Sequence, residues 1–369
     1  MSAAKRSAED NLEEALARFP RVAVTHAPTP LEPLANLGAD LGLSLLAKRD
    51  DCTGLGFGGN KVRQLEFYFG AALAAGADTV LITGAVQSNF VRTAAAMAAR
   101  FGMECHIQLE ERVPDVTPLH RNNGNVLLDR LFGARLHSFP EGEDEAGADA
   151  AVAAIADKLR GAGRKPYIIP LGVDHPPLGA LGYVVAAMEL ARQFEEQGPV
   201  DEIVLASGSA ATHSGLLFGL RALGLETPVR GICVRRPAAA QQPRVLRRCA
   251  DVARLLDLPV VIPESDIRVS DDVLAPGYGR LNAATVAAIR RTAEREGLVL
   301  DPAYTGKVMA GLIQLAEAGA LAGRRVVFLH SGGTPALFAY ADQLTDALSS
   351  GAPSSGAPSS GASPSGSAA

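Results

Sequence analysis

The residue with the clearest potential for chemistry is a lysine that follows a run of glycines. Residues 54–59 read GLGFGG, and Lys61 lies two positions further on, where a helical pattern begins. The positive end of a helix dipole and the nearby cation of Arg63 both disfavour an ammonium group. The sequence therefore predicts a neutral, nucleophilic amine that can form a Schiff base. A solvated surface lysine is the alternative interpretation of Lys61 taken alone.

The same glycine run formally matches the dinucleotide-binding pattern G-x-G-x-x-G. Its context argues against that function, because the next strand-like run, residues 79–83 (TVLIT), continues into GAV without the acidic residue that would bind a ribose hydroxyl. Nor does a Gly-Lys-Ser/Thr triplet occur, since Asn60 precedes Lys61 and Val62 follows it. We therefore expect no nucleotide site at these glycines.

Two further turns place hydroxyl and amide groups at predicted helix starts. Ser88 and Asn89 open a helical stretch, where such side chains either bind an anion or simply cap the helix. Residues 207–212 (SGSAAT) follow a strand-like run, and small residues there let successive N–H groups turn inward. The hydroxyls of Ser209 and Thr212 can donate as well, so this turn suits a phosphate dianion. A tight strand-to-helix turn without a ligand is the alternative.

Strand-like and helical segments alternate through most of the chain and would position these groups. Runs such as DTVLITGA at 78–85 are followed by Ala-rich helical stretches, which predicts an α/β fold with two open, twisted, mostly parallel sheets. We assign residues 1–53 and 167–345 to a large discontinuous domain and residues 54–166 to a small domain. Residues 346–369, mostly Ser, Gly, Ala and Pro, are predicted to be a disordered tail.

Composition excludes several classes of function. Of the 369 residues 5% are aromatic, none is Trp, and the net charge is −5, so neither nucleic acid nor an anionic membrane is an expected partner. The four cysteines form no Cys-x-x-Cys pair, which predicts free, mostly buried thiols and no metal site. The N-terminal residues contain no apolar run typical of a secretory signal, so we expect a cytoplasmic protein.

The string GFGGNKVR at 56–63, followed by QSN at 87–89, resembles the D-cysteine desulfhydrase and 1-aminocyclopropane-1-carboxylate (ACC) deaminase family. That family has the tryptophan-synthase-β-like fold, fold type II, of pyridoxal 5′-phosphate (PLP) enzymes. The resemblance extends over about residues 31–344. It implies PLP as cofactor, a homodimer, and Lys61 as the covalent anchor of PLP.

The resemblance also implies roles for the two polar turns. Asn89 would face the cofactor ring hydroxyl, and backbone N–H groups near Ser88, Asn89 and Phe90 would bind the substrate carboxylate. The phosphate of PLP would lie against the second turn, formed by Gly208, Ser209, Ala210, Ala211 and Thr212.

Two C-terminal segments distinguish the branches of that family. In the cyclopropane deaminases a glutamate stands at the position of Thr305 and can keep the pyridine nitrogen protonated. In the desulfhydrases a threonine stands there, and a hydroxyl at the position of Ser331 hydrogen-bonds that nitrogen. This chain sides with the desulfhydrases. Tyr278 and Tyr304 match tyrosines that line the substrate face, with half-buried packing tyrosines as the alternative.

Several positions depart from the family pattern. Phe90 stands where a polar side chain is usual, and Gln64 replaces a lysine near the phosphate. Ala211 replaces a glycine, which predicts mild backbone strain if the position requires positive φ. Asp174 and His175 are either solvated loop residues or reach into the substrate cleft.

These implications together favour a lyase that removes a β-substituent from a small amino acid, as in D-cysteine desulfhydrase. Lys61 would act as base, while Ser88, Tyr304 and Tyr278 would position substrate or transfer protons. ACC deaminase, L-cysteate sulfo-lyase and a catalytically idle PLP- or amino-acid-binding protein are the alternatives. The handedness of the substrate stays open.

Overall fold

A computed structural model describes residues 3–114 and 116–349 and contains two β-sheets. The strands are β1 Leu31–Pro33, β2 Ser44–Lys48, β3 Thr79–Ala85, β4 Glu104–Glu110, β5 Arg135–Phe139, β6 Pro166–Ile169, β7 Glu202–Ser207, β8 Val229–Cys233, β9 Arg268–Ser270 and β10 Arg325–Leu329. The larger sheet has the order β1-β2-β10-β7-β8-β9, with only β1 antiparallel to its neighbour, and the smaller sheet, all parallel, has the order β5-β4-β3-β6. The predicted α/β class with mostly parallel sheets is confirmed.

Fourteen α-helices of the described chain cover these sheets. They are α1 Ala3–Ala17, α2 Ala35–Leu41, α3 Asn60–Ala74, α4 Asn89–Arg100, α5 Pro118–Asn122, α6 Asn125–Leu131, α7 Glu145–Gly161, α8 Leu178–Gln197, α9 Ala211–Ala222, α10 Ala238–Leu256, α11 Ala283–Glu296, α12 Thr305–Glu317, α13 Thr334–Leu337 and α14 Ala341–Ser349. Most of the strand residues are buried, as expected where helices cover both faces of a parallel sheet.

Apolar side chains form a separate core on each side of the larger sheet and another around the smaller one. Phe328 and Val204 lie in the core beneath α12, whereas Val327 and Leu205 lie in the core beneath α8 and α9. Neighbouring positions of one strand thus point to opposite faces, as the pleat requires. Ile82 belongs to the core of the smaller sheet, between α3 and α4.

Two predicted boundaries differ from the structure. The break predicted between residues 166 and 167 falls inside β6, because Tyr167–Ile169 continue to pair with Val80–Ile82 of β3. The tail predicted from residue 346 is wrong for residues 346–349, because they complete α14, whose Leu344 lies in the core. Residues 350–369 lie outside the described part of the chain.

The candidate site lies where the larger sheet presents the carboxyl ends of three adjacent parallel strands. β2, β10 and β7 are neighbours, so the segments that follow them, residues 49–60, 330–333 and 208–212, meet at one edge.

In the described residues no helix is long and apolar enough to span a bilayer. All four cysteines are free thiols and three are buried, as predicted, and the described residues contain no cluster suited to a metal ion.

Candidate active site

Lys61 lies in the first turn of α3, held by a glycine-to-glycine contact. Gly59, with φ 110°, is the residue before the helix, and a Cβ on Gly332 would lie only 2.7 Å from its Cα. The N–H of Gly59 donates to the Asp50 carbonyl and that of Asn60 donates to the Ser331 carbonyl, both at 3.0 Å. Glycine is required at 332, where φ is 83° and a side chain would meet Gly59, and the positive φ favours glycine at 59 as well.

Burial lowers the pKa of the Lys61 ammonium from 10.5 to about 8. Its Nζ donates to Gln64 Oε1 at 3.2 Å and lies 5.6 Å from the centre of the Phe90 ring. The lowered pKa agrees with the prediction of an amine that is easily neutral. The cause is burial, whereas the sequence predicted an effect of the nearby Arg63 cation. The Arg63 guanidinium is neutralised by two carboxylates and does not act on Lys61.

Arg63 belongs to a buried ion-pair cluster at the base of α3. Its guanidinium donates to Asp50 at 2.9 and 3.0 Å and to Glu189 at 3.0 Å. Lys48 donates to Glu189 as well, and the Tyr183 hydroxyl donates to Asp50 at 2.6 Å. Two cations thus face two carboxylates, which compensates the cost of burying each charge. The cluster fixes the start of α3, and with it Lys61, to the larger sheet.

Lys61 lies between two compartments of one cleft, each with about 400 Å³ of space outside protein atoms, the solvent at its mouth included. We call the first the anchor compartment; it is lined by Asn60, Lys61, Asn89, Ala206, Gly208, Ser209, Ala210, Thr212, Tyr304 and Ser331. We call the second the outer compartment; it is lined by Lys61, Gln64, Tyr68, Phe90, Pro170, Leu171, Pro177, Gly179, Ala180, Ser209, Ala211 and Arg248. Neither lining includes a carboxylate.

The turn between β7 and α9, residues 208–212, has a geometry suited to an anion, and we call it the anion cradle. Ala210 adopts left-handed backbone geometry, φ 77° and ψ −15°, directly before the helix. The first N–H groups of α9, which have no partner within the helix, therefore begin beside the anchor compartment. The strain predicted at Ala211 was misplaced by one residue, because Ala211 is helical and Ala210 has the positive φ.

The Thr212 side chain has a defined hydrogen-bond polarity. Its Oγ1 accepts from Asn60 Nδ2 at 2.9 Å and from Gln64 Nε2 at 2.8 Å. Gln64 is oriented in turn, because its Oε1 accepts from Lys61. Since both acceptor positions of the Thr212 oxygen are occupied, its proton is free to be donated to a ligand. Gln64 stands where the family usually has a lysine, and its neutral side chain links Lys61 to the cradle by hydrogen bonds.

Asn89 lines the anchor compartment from the start of α4. Its Oδ1 accepts from Asn125 Nδ2 at 2.9 Å, which leaves the Asn89 Nδ2 group free to donate. Asn125 is completely buried and also donates to the Gln87 carbonyl at 2.9 Å. The amide at position 89 is therefore part of a buried network.

Ser88 and Phe90, unlike Asn89, do not line the anchor compartment. The Ser88 hydroxyl caps α4 by accepting from the N–H groups of Phe90 at 3.2 Å and Val91 at 3.5 Å, and it lines neither compartment. The capping alternative therefore describes Ser88 in this structure. The Phe90 ring forms a wall of the outer compartment and packs edge-on against Tyr68, with ring centres 6.2 Å apart.

Tyr278 and Tyr304 form a hydrogen-bonded pair, with their hydroxyl oxygens 2.6 Å apart and the rings in an edge-to-face arrangement. Burial raises the pKa of both phenols, so both carry their protons at neutral pH. Only Tyr304 lines the anchor compartment. The loop of Tyr278 is held by Lys307, whose Nζ donates to the carbonyls of Leu274 at 2.8 Å and Gly277 at 2.7 Å.

Thr305 and Ser331 were both predicted to bind the cofactor, but only Ser331 lines a compartment of the cleft. Thr305 is fully buried, and its hydroxyl accepts from the Asp301 N–H and donates to Asp301 Oδ1. Thr305 lines neither compartment, and its contact with a cofactor stays a prediction. Ser331 does line the anchor compartment, and in the described residues its hydroxyl has no protein partner.

The loop after β6 does not enter the cleft with its charged side chains. Asp174 pairs with Arg247 at 2.7 Å and His175 pairs with Asp149 at 3.0 Å, on the outside of the protein. The solvated-loop interpretation of Asp174 and His175 is therefore correct. Their backbone nevertheless contributes, since the His175 carbonyl accepts from Arg248 at 2.6 Å and Arg248 lines the outer compartment.

Sequence analysis missed Asn125 and Asn60. Asn125 follows a polar turn in a segment assigned only to the small domain, and nothing in the sequence distinguishes a buried asparagine from a surface one there. Asn60 had a usable signal, because an amide next to the lysine at a helix start can reach a neighbouring turn.

Known proteins resemble this chain over most of its length. A family model described as "Pyridoxal-phosphate dependent enzyme" matches residues 22–332. D-cysteine desulfhydrase of Salmonella newport (strain SL254) is 42% identical over 326 residues, 88% of this chain and 97% of the relative. That of Klebsiella pneumoniae subsp. pneumoniae is 42% identical over 330 residues, covering 89% and 98%.

Solved structures of other proteins have a similar fold. An ACC deaminase homologue superposes with a TM-score of 0.82 at 35% identity, covering 92% of this chain and 99% of that one. O-ureido-L-serine synthase, at 19% identity, 89% and 94% coverage and a TM-score of 0.61, shares the fold.

Proposed function

Since the chain belongs to the pyridoxal-phosphate dependent enzymes, we propose that it is a lyase that eliminates the β-substituent of a small amino acid such as D-cysteine. With D-cysteine and one water, the products are pyruvate, ammonia and hydrogen sulfide. One observation carries the proposal: the Lys61 amine shares a cavity with the anion cradle, the Asn89 amide and the Ser331 hydroxyl. The two D-cysteine desulfhydrases at 42% identity support the choice of substrate class.

The residues of the anchor compartment fit PLP. We propose that the cradle holds the phosphate through the first N–H groups of α9 and the free proton of Thr212, with Gly208, Ser209, Ala210 and Ala211 forming the turn. The amine of Lys61 is the covalent anchor, and the hydroxyl of Ser331 meets the ring nitrogen. When bound, PLP withdraws electron density from the α-carbon of the amino acid and makes its proton removable.

Lys61 is the proposed base for that α-proton. Its amine has a pKa of about 8, so a substantial neutral fraction exists near neutral pH. The Phe90 ring 5.6 Å from Nζ keeps water from one side of the amine. Gln64 accepts a hydrogen bond from Nζ and fixes the direction of the lone pair.

We propose that the start of α4 receives the substrate carboxylate, because the positive end of a helix favours an anion. Ser88, Asn89 and Phe90 contribute this surface, and the Ser88 hydroxyl would exchange its cap for the ligand. Tyr304, whose hydroxyl is hydrogen-bonded to that of Tyr278, is the proposed proton donor to the leaving sulfur. The raised pKa values of both phenols keep that proton available.

Opening of a cyclopropane ring is the second candidate, favoured by the 35% identical ACC deaminase homologue. It requires a stronger electron sink, which a carboxylate at the ring nitrogen would supply. Asp301, the carboxylate near Thr305, instead accepts from the N–H groups of Ala303, Tyr304 and Thr305 and from the Thr305 hydroxyl. Because neither compartment is lined by a carboxylate, β-elimination is the better supported reaction.

A homodimer and a cytoplasmic location are parts of the same proposal. Four large apolar side chains are strongly exposed on segments that pack around α4, α5 and α6: Phe57, Leu127, Leu131 and Phe338. Such a patch is typical of a subunit contact. Free thiols at all four cysteines are consistent with a reducing compartment.

The proposal is tested by measuring keto-acid release from D- and L-cysteine, D- and L-3-chloroalanine, L-cysteate and ACC. We expect pyruvate from at least one β-substituted alanine, no turnover by Lys61→Ala, and little 2-oxobutyrate from ACC. Release of 2-oxobutyrate as the main product would favour the cyclopropane reaction. PLP binding without any product would indicate an idle binding protein.

A further inference from the structure

The completely buried amide of Asn125 is a hydrogen-bond hub beside the anchor compartment. Its backbone N–H donates to Gln87 Oε1, and its Nδ2 donates to the Gln87 carbonyl and to Asn89 Oδ1, each at 2.9 Å. Its Oδ1 accepts from Arg92 Nε at 3.2 Å. Every polar atom of the Asn125 side chain is thus engaged.

This network has only one possible polarity. A guanidinium donates hydrogen bonds and never accepts them, so the atom of Asn125 facing Arg92 must be the oxygen. The Asn125 NH₂ group then faces Asn89, whose oxygen must accept. An isolated asparagine could present either end to a ligand, because the two ends have nearly the same shape. In this network the NH₂ group of Asn89 is the end left for the compartment.

Arg92 is suited to set this direction. It is fully buried, and although burial lowers the pKa of its guanidinium to about 10, it is still protonated at neutral pH. Its Nη1 donates to the carbonyls of Gly56 and Gly58, in the glycine run that precedes Lys61. One cation therefore orients both the approach to Lys61 and the amide of Asn89.

We propose that Arg92 and Asn125 are positioning residues that fix the Asn89 amide with its NH₂ group towards an acceptor oxygen of the cofactor. This inference rests on the proposed function. The phosphate oxygens have their own cradle at 208–212, so the oxygen left for Asn89 is that on the pyridine ring. The site thereby selects for a ring that has this oxygen.

The test compares binding of PLP with binding of 3-deoxypyridoxal phosphate, which has the aldehyde and phosphate but no ring oxygen. The full chain, freed of cofactor, is titrated with each, and the ratio of the two dissociation constants is measured. In Asn125→Asp a carboxylate accepts from Arg92 and also from Asn89, so the Asn89 amide turns its oxygen to the cavity. We expect the preference for PLP to fall about tenfold, as for a lost hydrogen bond to a charged group.

A merely structural role for Asn125 would weaken both ligands equally and leave the ratio unchanged, which would overturn the inference. Because Asn125→Asp adds a buried carboxylate, a second pair keeps the test decisive if that variant does not fold. Arg92→Lys retains a cation that only donates and should keep the ratio, whereas Arg92→Met should lower it. Equal ratios in these two variants would also overturn the inference. If the unchanged protein failed to bind PLP, the proposed function on which this inference rests would be refuted instead.

Discussion

Two lysines of this protein, the half-buried Lys61 and the buried Lys307, have the same lowered pKa but different surroundings. Burial lowers the pKa of both Lys61 and Lys307 to about 8. Lys307 donates to the carbonyls of Leu274 and Gly277, so it holds the loop of Tyr278 in place. Lys61 faces both compartments and donates only to an exchangeable amide oxygen. Geometry, rather than the pKa alone, supports the proposal that Lys61 is the cofactor anchor.

The pKa of Lys61 makes the rate of cofactor attachment depend on pH. Only a neutral amine attacks the aldehyde, so the initial rate with cofactor-free protein should rise with pH, with a midpoint near 8. Acetyl-lysine under the same conditions is the control and should show its midpoint near 10.5. Stopped-flow absorbance measures both. A midpoint near 10.5 in the protein would mean that Lys61 is solvated.

At the scale of elements, the sequence predicted what depends on local pattern. The alternation of strands and helices predicted the starts of α3, α4 and α9 and the strand before residue 207, and with them the turns of the site. The positive φ of Ala210 could not be predicted, because it is imposed by the packing of the turn against the larger sheet. The capture of the Thr305 hydroxyl by Asp301 likewise depends on how two neighbouring groups orient once α12 is buried.

The ion-pair cluster at the base of α3 could not be predicted from the sequence either, because its members come from segments far apart in the chain. Arg63 is adjacent to the predicted site, yet its partner Glu189 lies in the middle of α8. Such a pairing has no local signature, since a helical glutamate is usually solvated. The cluster nevertheless determines where Lys61 stands.

This cluster gives a prediction for stability. Glu189→Gln leaves Lys48 and Arg63 facing one carboxylate, so the free energy of unfolding should fall by about 3–5 kcal/mol. The matched control on the same helix is Arg192→Met, which loses only exposed ion pairs with Glu9 and Glu13 and should cost about 1 kcal/mol or less. Urea unfolding followed by circular dichroism measures both. Equal losses in the two variants would contradict the importance of the cluster.

At the scale of the whole molecule, ion pairs join a helix on the smaller sheet to the segment that follows β8 of the larger sheet. Glu145 at the start of α7, on the smaller sheet, pairs with Arg235 at 3.2 Å and with Arg236, both of which follow β8 of the larger sheet. Burial opposes ionisation of Glu145, but the surrounding arginines outweigh it and lower the pKa of this carboxyl. Arg236 also approaches the Gly208 carbonyl at 3.5 Å. The contact between the two sheets thus reaches the anion cradle.

The exposed apolar patch gives a prediction for assembly. If Phe57, Leu127, Leu131 and Phe338 form the subunit contact, Leu131→Glu should raise the dimer dissociation constant at least about tenfold. Val261→Glu is the control, because Val261 is 86% exposed in the segment after α10. Sedimentation velocity over a range of concentrations distinguishes the species. A monomeric parent protein, or an equal effect of both substitutions, would refute this surface.

Lys61 is the residue proposed to carry PLP. The direct measurement is borohydride reduction of the protein purified with its cofactor, followed by peptide mass spectrometry. We predict a pyridoxyl-phosphate adduct on the peptide containing Lys61, and its absence from Lys61→Ala. An adduct on Lys307 or another lysine, or equal labelling of Lys61→Ala, would contradict the account.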